Sequence, residues 1–561
     1  MSLRSGSRAL PDGAPPDGGG RRGRRLPAGF EAPFAARSYR ATVLSRRFAT
    51  AVALVACLAV GGSLRVGPTD AARDGAGATT TIRYLVVVFQ ENVSFDHYFA
   101  TYPQAANPPG EPAFRAAPRT PAVDTLQRAG LLAPNNPNAA QPFRLARSQA
   151  ATCSQNHAYW AEQAAAHGGA MDLFVPFVGV GSTTSRPCHD YGLGRRLVMG
   201  YFDGNTVTAL WNYAQHFAMS DRFFNATFGP STPGALNLIT GQTHGASPAS
   251  LRTPTGPAVA AGSMVGDGQP RFDDCSMLPV TVAMSGRNVG DLLNARGVTW
   301  GWFQGGFAPS SVVGGTARCH TAHVGSDGTL KEDYLPHHEP FQYYASTANR
   351  HHLPPSSVAM IGRPDRANHQ YDLRDFWAAA AAGTIPAVSF LKAPAYADGH
   401  AGYSSPLAEQ RFIVETLNRL QQLPQWRQMA VIVTYDDSDG WYDHVAGPIV
   451  NHSQASVDAA ICAGAAPTLG AYQGRCGYGP RLPLLVISPF ARPNYVDHTL
   501  ADQSSILRFI EDTWELGRIG DRSFDEAAGS LLGLFDFDRP EAGRLFLDPD
   551  TGLPLPSARP E

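Results

Sequence analysis

Two pairs of polar residues, each placed directly after an apolar run, could bind a metal ion. Glu91 and Asn92 follow the first run, and Asp436 and Asp437 follow the second. Adjacent carboxylates at a strand end repel each other, and a divalent cation relieves that repulsion. A solvated turn is the alternative for the second pair, because the Asp-Ser-Asp-Gly sequence that begins there is good turn chemistry. Taken with the first pair, the metal site is favoured.

A hydroxyl group near a Gly-Pro turn is the second chemical candidate. In FGPSTPGALNLITG, Ser231 or Thr232 stands where a helix could begin, and Pro233 suits an early helical position. From these residues alone, Ser231 is best interpreted as a helix cap. The same position can also bind phosphate through free backbone N–H groups. Beside a metal, its hydroxyl would be a good nucleophile for phosphoryl transfer.

Histidines are the third candidate, since the chain has 17 of them. An isolated histidine is usually structural. A set of them suits protonation of a leaving alcohol or binding of phosphate oxygens. Those in polar, Gly- or Pro-containing surroundings are His157, His337, His338, His400 and His444.

Several other functions are disfavoured by the sequence. There is no GxSxG motif, so a lipase-type nucleophile is unsupported. The chain has only two lysines, Lys331 and Lys392, and neither lies in a P-loop pattern. The net charge of −2 and the lack of a basic run argue against nucleic-acid binding.

The elements that would position these residues alternate between strands and helices. Buried strands are predicted at Ile82–Phe89, Ile385–Leu391, Met429–Thr434 and Leu482–Ile487, and helices at Val207–Phe217, Asn288–Ala295, Leu373–Ala382, Pro406–Leu423 and Ser504–Leu516. This alternation predicts an α/β fold with a doubly wound, mostly parallel sheet flanked by helices. Ligands of such sheets bind beyond the carboxyl ends of the strands, so both acidic pairs are expected to face one crevice. Residues 101–150 and 246–280 are predicted to be lid loops.

The N-terminal region has the features of an export signal. Residues 1–75 are predicted to be a disordered extension and signal, with Arg46 and Arg47 preceding the apolar run 48–60. The paired arginines are typical of the twin-arginine route. The run is shorter than the about 20 residues of a membrane-spanning helix, and apolar residues after Cys57 disfavour a lipoprotein. We therefore expect a periplasmic or secreted protein.

Six cysteines remain when Cys57 is set aside. An even number in an exported chain favours disulfide bonds. Pairing of nearest neighbours is the simplest arrangement, and it predicts the bridges Cys153–Cys188, Cys275–Cys319 and Cys462–Cys476.

Together, these segments resemble the bacterial phosphoesterase family that contains phospholipases C and respiratory-burst-inhibiting acid phosphatases. The matching stretches run in order and are ENVSFDHYF, HGGAMDLFV, MGYFDGNTVTALWNYAQHFAMSDRFF, GPSTPG, PHHEPFQYY, TYDDSDGWYDHV, YGPRLPLLVISPFAR and DHTLADQSSILRFIEDTW. The resemblance implies an alkaline-phosphatase-like core in a phosphoesterase domain at 76–536. The Pro-rich composition of residues 537–561 predicts a peripheral tail.

The resemblance also implies roles for single residues. Metal ligands would be Glu91, Asn92, Asp436 and Asp437, together with Ser231, which would also be the nucleophile. His157, His338 and His400 would bind the phosphoryl group or act on the leaving group, with His337 a weaker match, and His400 is expected to be the proton donor. One divalent ion is implied, and these ligand types admit Ca, Mn, Fe or Zn.

The substrate is less well defined than the reaction. A phosphate ester or a phospholipid is expected, with transient contact with a membrane surface. Ser231-Thr232-Pro233 and Asp436-Asp437 stand where many phospholipases C have Thr-Asp-Pro and Asp-Glu, which favours the acid-phosphatase branch. A strict phospholipase C acting on phosphatidylcholine is the alternative. A non-catalytic exported binding protein is a more remote one, because it would be expected to lack the intact acids and Ser231.

Overall fold

A mixed sheet of eight strands passes through the centre of the protein. The computed structural model describes residues 79–556, except 185, 454–457, 459, 463–471, 473 and 541. In chain order the strands of this sheet are β1 Tyr84–Gln90, β2 Ala218–Ser220, β3 Trp300–Gln304, β4 Gln370–Asp372, β5 Val388–Lys392, β6 Met429–Tyr435, β7 Leu484–Ile487 and β8 Tyr495–Asp497. Their spatial order is β4-β3-β5-β1-β6-β7-β2-β8.

All strands but one run in the same direction. β1 is parallel to both its neighbours, β5 and β6, and pairs with β6 from Tyr84 opposite Met429 to Gln90 opposite Tyr435. Only β7 is antiparallel to its neighbours. The predicted mostly parallel α/β sheet is therefore confirmed. The predicted buried strand Leu482–Ile487 forms as β7, and its reversed direction puts the following Ser488 at the edge of the sheet opposite Glu91 and Asp436.

Nine α-helices accompany the sheet in the described part of the chain. They are α1 Phe95–Phe99, α2 Tyr159–Ala166, α3 Phe174–Phe177, α4 Thr208–His216, α5 Ser231–Thr240, α6 Val289–Arg296, α7 Leu373–Ala381, α8 Pro406–Gln422 and α9 Gln503–Thr513. The five helices predicted from apolar periodicity all form, with ends that match the prediction or differ from it by up to three residues. Four of them begin after a side-chain cap, which is Asn288, Asp372, Ser405 or Asp502.

Short strands outside the central sheet build the surrounding loops. They pair as Phe143–Arg144 with Gly200–Tyr201, Phe223–Phe224 with Ala501–Asp502, Ala246–Ser247 with Ala283–Met284, Ser311–Val313 with Thr316–Arg318, and Ala322–Val324 with Leu330–Glu332. A separate three-stranded sheet is formed by Leu251–Thr253, Gly256–Ala260 and Ser263–Met264. Within the region predicted to be a loop at 246–280, residues 246–264 therefore contain short strands, and residues 265–280 are irregular.

The termini and the cysteines complete the fold. The proposed signal at 48–60 and Cys57 lie outside the described residues, within which no helix is both long and apolar enough to cross a bilayer. The tail predicted to be peripheral runs along α8, where Leu547 is fully buried and its carbonyl accepts a hydrogen bond from Asn418. All three predicted disulfides are present: Cys153–Cys188, Cys275–Cys319 and Cys462–Cys476.

Candidate active site at the strand ends

The two acidic pairs predicted from sequence meet at one edge of the sheet. Glu91 and Asn92 leave β1, and Asp436 and Asp437 leave its neighbour β6. The Asn92 N–H donates to Asp436 Oδ1 at 3.2 Å, and all four side chains are buried. Asn92 has a left-handed backbone with φ of 48°, a conformation that asparagine tolerates better than most residues. Parallel neighbours thus bring the four polar groups together.

Ser231 faces these acids instead of capping its helix. The residue before α5 is Pro230, which has no capping side chain, and Ser231 is the first helical residue. Its Oγ lies 3.2 Å from Glu91 Oε2 and 3.1 Å from Asp437 Oδ2. The cap interpretation is therefore wrong. A capping side chain accepts a hydrogen bond from a backbone N–H group of the first helical turn. The Ser231 hydroxyl instead faces the carboxylates of Glu91 and Asp437.

A glycine lets α5 approach the sheet so closely. A Cβ atom at Gly234 would lie 1.9 Å from the Asp436 carbonyl oxygen, so only glycine fits this contact. The Gln503 side chain at the start of α9 donates to the same carbonyl at 2.9 Å. Two helices thereby fix the backbone on which the acids stand.

Lys392, at the carboxyl end of β5, lies among the acids. Its ammonium contacts Glu91 Oε1 and lies 3.5 Å from Asp436 Oδ2. Burial lowers the pKa of Lys392, but the charges of Asp436 and Glu91 outweigh this and raise it. The sequence analysis did not assign Lys392 a role. The available signal was a rare lysine directly after a predicted buried strand.

The carboxylates have very different surroundings. Burial, reinforced by the charge of Asp436, raises the pKa of Glu91 well above its usual range. Burial likewise raises the pKa of Asp437, although His157 opposes it. Burial also acts on Asp436, but Lys392 and hydrogen bonds outweigh it and lower the pKa. The buried cluster therefore has more carboxylates than neighbouring positive side chains to neutralise them.

Two of the predicted histidines lie in the 3₁₀ helix Pro336–His338, and one of them contacts Glu91. His338 Nδ1 lies 3.0 Å from Glu91 Oε1. Burial and the neighbouring His337 and Lys392 lower the pKa of His338 well below its ordinary value, so the imidazole is neutral. His337 stacks edge-on against His338, and burial lowers its pKa too. The structure thus places His338 in contact with Glu91 and His337 in contact with the ring of His338.

Two more of the predicted histidines, His157 and His400, lie near Asp439. His157 Nδ1 is 3.0 Å from Asp439 Oδ1 and 3.0 Å from the Gln155 carbonyl. Burial lowers the pKa of His157, but Asp437 and Asp439 outweigh it and raise it well above the ordinary value. Burial lowers the pKa of His400 to about 4. The two rings are 6.0 Å apart.

The remaining acid and histidine of TYDDSDGWYDHV belong to a separate network. Arg481 Nε donates to Asp443 Oδ1 at 2.9 Å, and His444 Nδ1 lies 2.6 Å from Asp96 Oδ2. All four side chains are buried or nearly so. They join α1 to the loop after β6, so His444 is structural.

An open cleft of about 950 Å³ begins beside the site. Its walls include His157, Pro230 and Asp267, and further out the half-exposed Trp160. Asp267 also accepts hydrogen bonds from the N–H and hydroxyl of Thr232. Of the two predicted lid regions, only 246–280 contributes to this wall among the described residues.

The predicted ligand set suits an oxygen-bound divalent cation. It combines three buried carboxylates, the amide of Asn92 and the hydroxyl of Ser231, which contacts two of those carboxylates. A second group of ligand atoms, from Glu91, His338 and Asp398, also lies within 4.8 Å of one another. Asp398 and Asp439 were not assigned site roles from sequence, because neither stands at a strand end.

Comparisons with known proteins identify the family of this chain. Residues 82–517 match the model of a family described as the Phosphoesterase family. The non-hemolytic phospholipase C of Pseudomonas aeruginosa is 23% identical over 478 residues, covering 83% of this chain and 58% of that protein. The hemolytic phospholipase C of the same species is 25% identical, covering 86% and 60%. This chain thus spans less than two thirds of either.

A mycobacterial relative matches more of its own length. Phospholipase C A of Mycobacterium tuberculosis is 24% identical over 464 residues, covering 79% of this chain and 77% of that protein. Among solved structures, a phosphonate monoester hydrolase from Silicibacter pomeroyi covers 57% of this chain at 13% identity and a TM-score of 0.27, too low to support an argument.

Proposed function

Because this chain belongs to the phosphoesterase family, we propose that it hydrolyses phosphoric esters with Ser231 as the nucleophile. The observation that carries the proposal is the contact of the Ser231 hydroxyl with Glu91 and Asp437 at 3.2 and 3.1 Å. A hydroxyl between two buried carboxylates can lose its proton to one of them as it attacks phosphorus. The P–O bond to the alcohol breaks as the bond to Ser231 forms, and water then hydrolyses the phosphoserine.

The proton for the leaving alcohol is assigned to His157. Its Nδ1 is held by Asp439 and the Gln155 carbonyl, and its ring lines the cleft beside Pro230. Asp439 orients the imidazole and favours its protonated form. His400, the donor expected from the resemblance, is neutral. We therefore propose that His400 contacts the phosphoryl group or the ring of His157.

Metal dependence is part of the proposal. Glu91, Asn92, Asp436, Asp437 and Ser231 would hold one divalent ion, which would make the hydroxyl more acidic and offset charge on the phosphoryl group. The helix dipole of α5 acts in the same direction at Ser231.

The substrate class is a phosphomonoester or a phospholipid head-group diester. The curated relatives named above are phospholipases C, which supports a phospholipid. The alcohol part of the substrate would occupy the cleft beside His157. We also propose that the protein is exported, and the three disulfides support this.

The decisive variant is Ser231→Ala in purified mature protein. We expect loss of turnover by at least about 10³-fold, with an unchanged melting temperature. Thr232→Val is the matched control, because the Thr232 hydroxyl contacts Asp267 and neither Glu91 nor Asp437. Near-normal turnover by Ser231→Ala would exclude Ser231 as the nucleophile. A rate unaffected by chelator would exclude the proposed metal dependence.

Two substrates separate the possible activities. One assay follows p-nitrophenyl phosphate, and the other follows diacylglycerol released from phosphatidylcholine. Dominant monoester cleavage indicates an acid phosphatase, and dominant diacylglycerol release a phospholipase C. Activity on neither, in folded and metal-loaded protein, would favour the non-catalytic alternative.

A further inference from the structure

The two carboxylate oxygens of Glu91 face different groups. Oε2 faces Ser231 at 3.2 Å, on the side of the proposed metal ligands. Oε1 faces the ammonium of Lys392, and His338 Nδ1 lies 3.0 Å from the same oxygen. A carboxylate that presents one oxygen to each of two sites is the usual bridge between two metal ions.

The Oε1 side has ligands for a second cation. Glu91, His338 and Asp398 each offer an atom there, all within 4.8 Å of one another, and all three are buried. Yet this place already holds a positive charge, because Lys392 Nζ contacts Glu91 and is only 1% exposed.

We propose that the ammonium of Lys392 occupies the place of a second metal ion, so that this site binds one divalent ion, on the Ser231 side, and not two. The lysine also positions Glu91 and Asp436 before that ion binds. This inference rests on the metal dependence proposed above.

Charge repulsion opposes a second divalent ion at this place. Such an ion would lie against the buried ammonium of Lys392, and two cations in contact inside a buried site are strongly unfavourable. A neutral residue at 392 would remove this obstacle.

The test counts manganese bound per chain after equilibrium dialysis, with the melting temperature in chelator as a second readout. We expect one ion in the wild type and two in Lys392→Met, whose metal-free form should also melt at a lower temperature. Lys392→Arg keeps the charge and should bind one. Lys331→Met, which alters the only other lysine, is the matched control and should also bind one. The double variant Lys392→Met with Asp398→Asn should return to one.

Two results would overturn the proposal. One is a wild type that binds two ions. The other is a Lys392→Met protein that binds one ion and melts in chelator like the wild type. If Lys392→Met does not fold, Lys392→Gln replaces it in the same count. A folded wild type that binds no manganese, zinc or calcium would overturn the metal dependence itself, and a failed Ser231→Ala test would leave the ion count unaffected.

Discussion

At the scale of single residues, His157 and His400 lie side by side near Asp439 but differ in their hydrogen bonds. His157 Nδ1 lies 3.0 Å from Asp439 Oδ1, whereas His400 Nδ1 contacts the Ala401 carbonyl. A general acid matters most when the leaving alcohol is a poor leaving group.

The matched pair His157→Asn and His400→Asn tests this assignment. We expect His157→Asn to lower kcat/KM for an alkyl phosphate by about 10²–10³-fold and for p-nitrophenyl phosphate only several-fold. His400→Asn should lower both by a similar factor, since it does not donate the proton. If His400→Asn, and not His157→Asn, selectively lowered kcat/KM for the alkyl phosphate, His400 would be the proton donor.

At the scale of elements, the contact between α5 and β6 decides whether Ser231 reaches the acids. Gly234→Ala inserts a methyl group 1.9 Å from the Asp436 carbonyl. We expect a loss of about 1–3 kcal/mol in the free energy of unfolding and a large loss of kcat. Gly543→Ala is the control, because its Cβ would meet nothing closer than 3.9 Å. Equal activity of the two variants would show that the position of α5 does not determine whether the Ser231 hydroxyl reaches the acids.

A second element, α9, carries a buried acid far from the chemistry. Burial and a hydrogen bond with Asp525 raise the pKa of Glu511 to about 9. For an acid whose pKa is higher in the folded state, stability is greatest below the unfolded pKa and falls as pH rises. In the wild type, Glu511 should lower the free energy of unfolding by up to about 1.4 kcal/mol per pH unit between about pH 4.5 and 9. We expect Glu511→Gln to abolish this pH dependence.

Melting curves of this variant across that range give the measurement. Glu515→Gln, which removes an exposed carboxylate from the residues after the same helix, is the control. Identical pH slopes for Glu511→Gln and the wild type would contradict the assignment.

At the scale of the whole molecule, the disulfide Cys153–Cys188 secures the segment that carries His157. Beside this bridge, Ser154 Oγ donates to Asp439 Oδ1 at 2.9 Å. Removing the bridge frees a loop with a sequence separation of 35, which should cost about 3–4 kcal/mol. We expect the double Cys→Ala variant to lose kcat as well as stability.

The bridge Cys275–Cys319 provides the comparison. It closes a loop of similar separation, 44 residues, within a separate apolar cluster with Phe307 and Tyr334. Its removal should cost similar stability but little kcat for the folded protein. Equal losses of kcat in the two variants would argue against a tether for His157.

The sequence by itself determined the α/β class, four of the eight strands of the sheet, five of the nine described helices and the four polar residues at the strand ends. These follow from local causes: apolar runs make buried strands, and the carboxyl ends of parallel strands share one edge. The disulfide pairs also followed from the order of the cysteines.

Only the tertiary structure decided what each polar group faces. Ser231 looked like a helix cap because its partners, Glu91 and Asp437, are distant in sequence, and Lys392 showed no partner for the same reason. The direction of β7 and the different roles of His157 and His400 likewise depend on which chain segments pack together. Local sequence sets the elements, whereas side-chain chemistry depends on long-range contacts and on the burial and charge that they create.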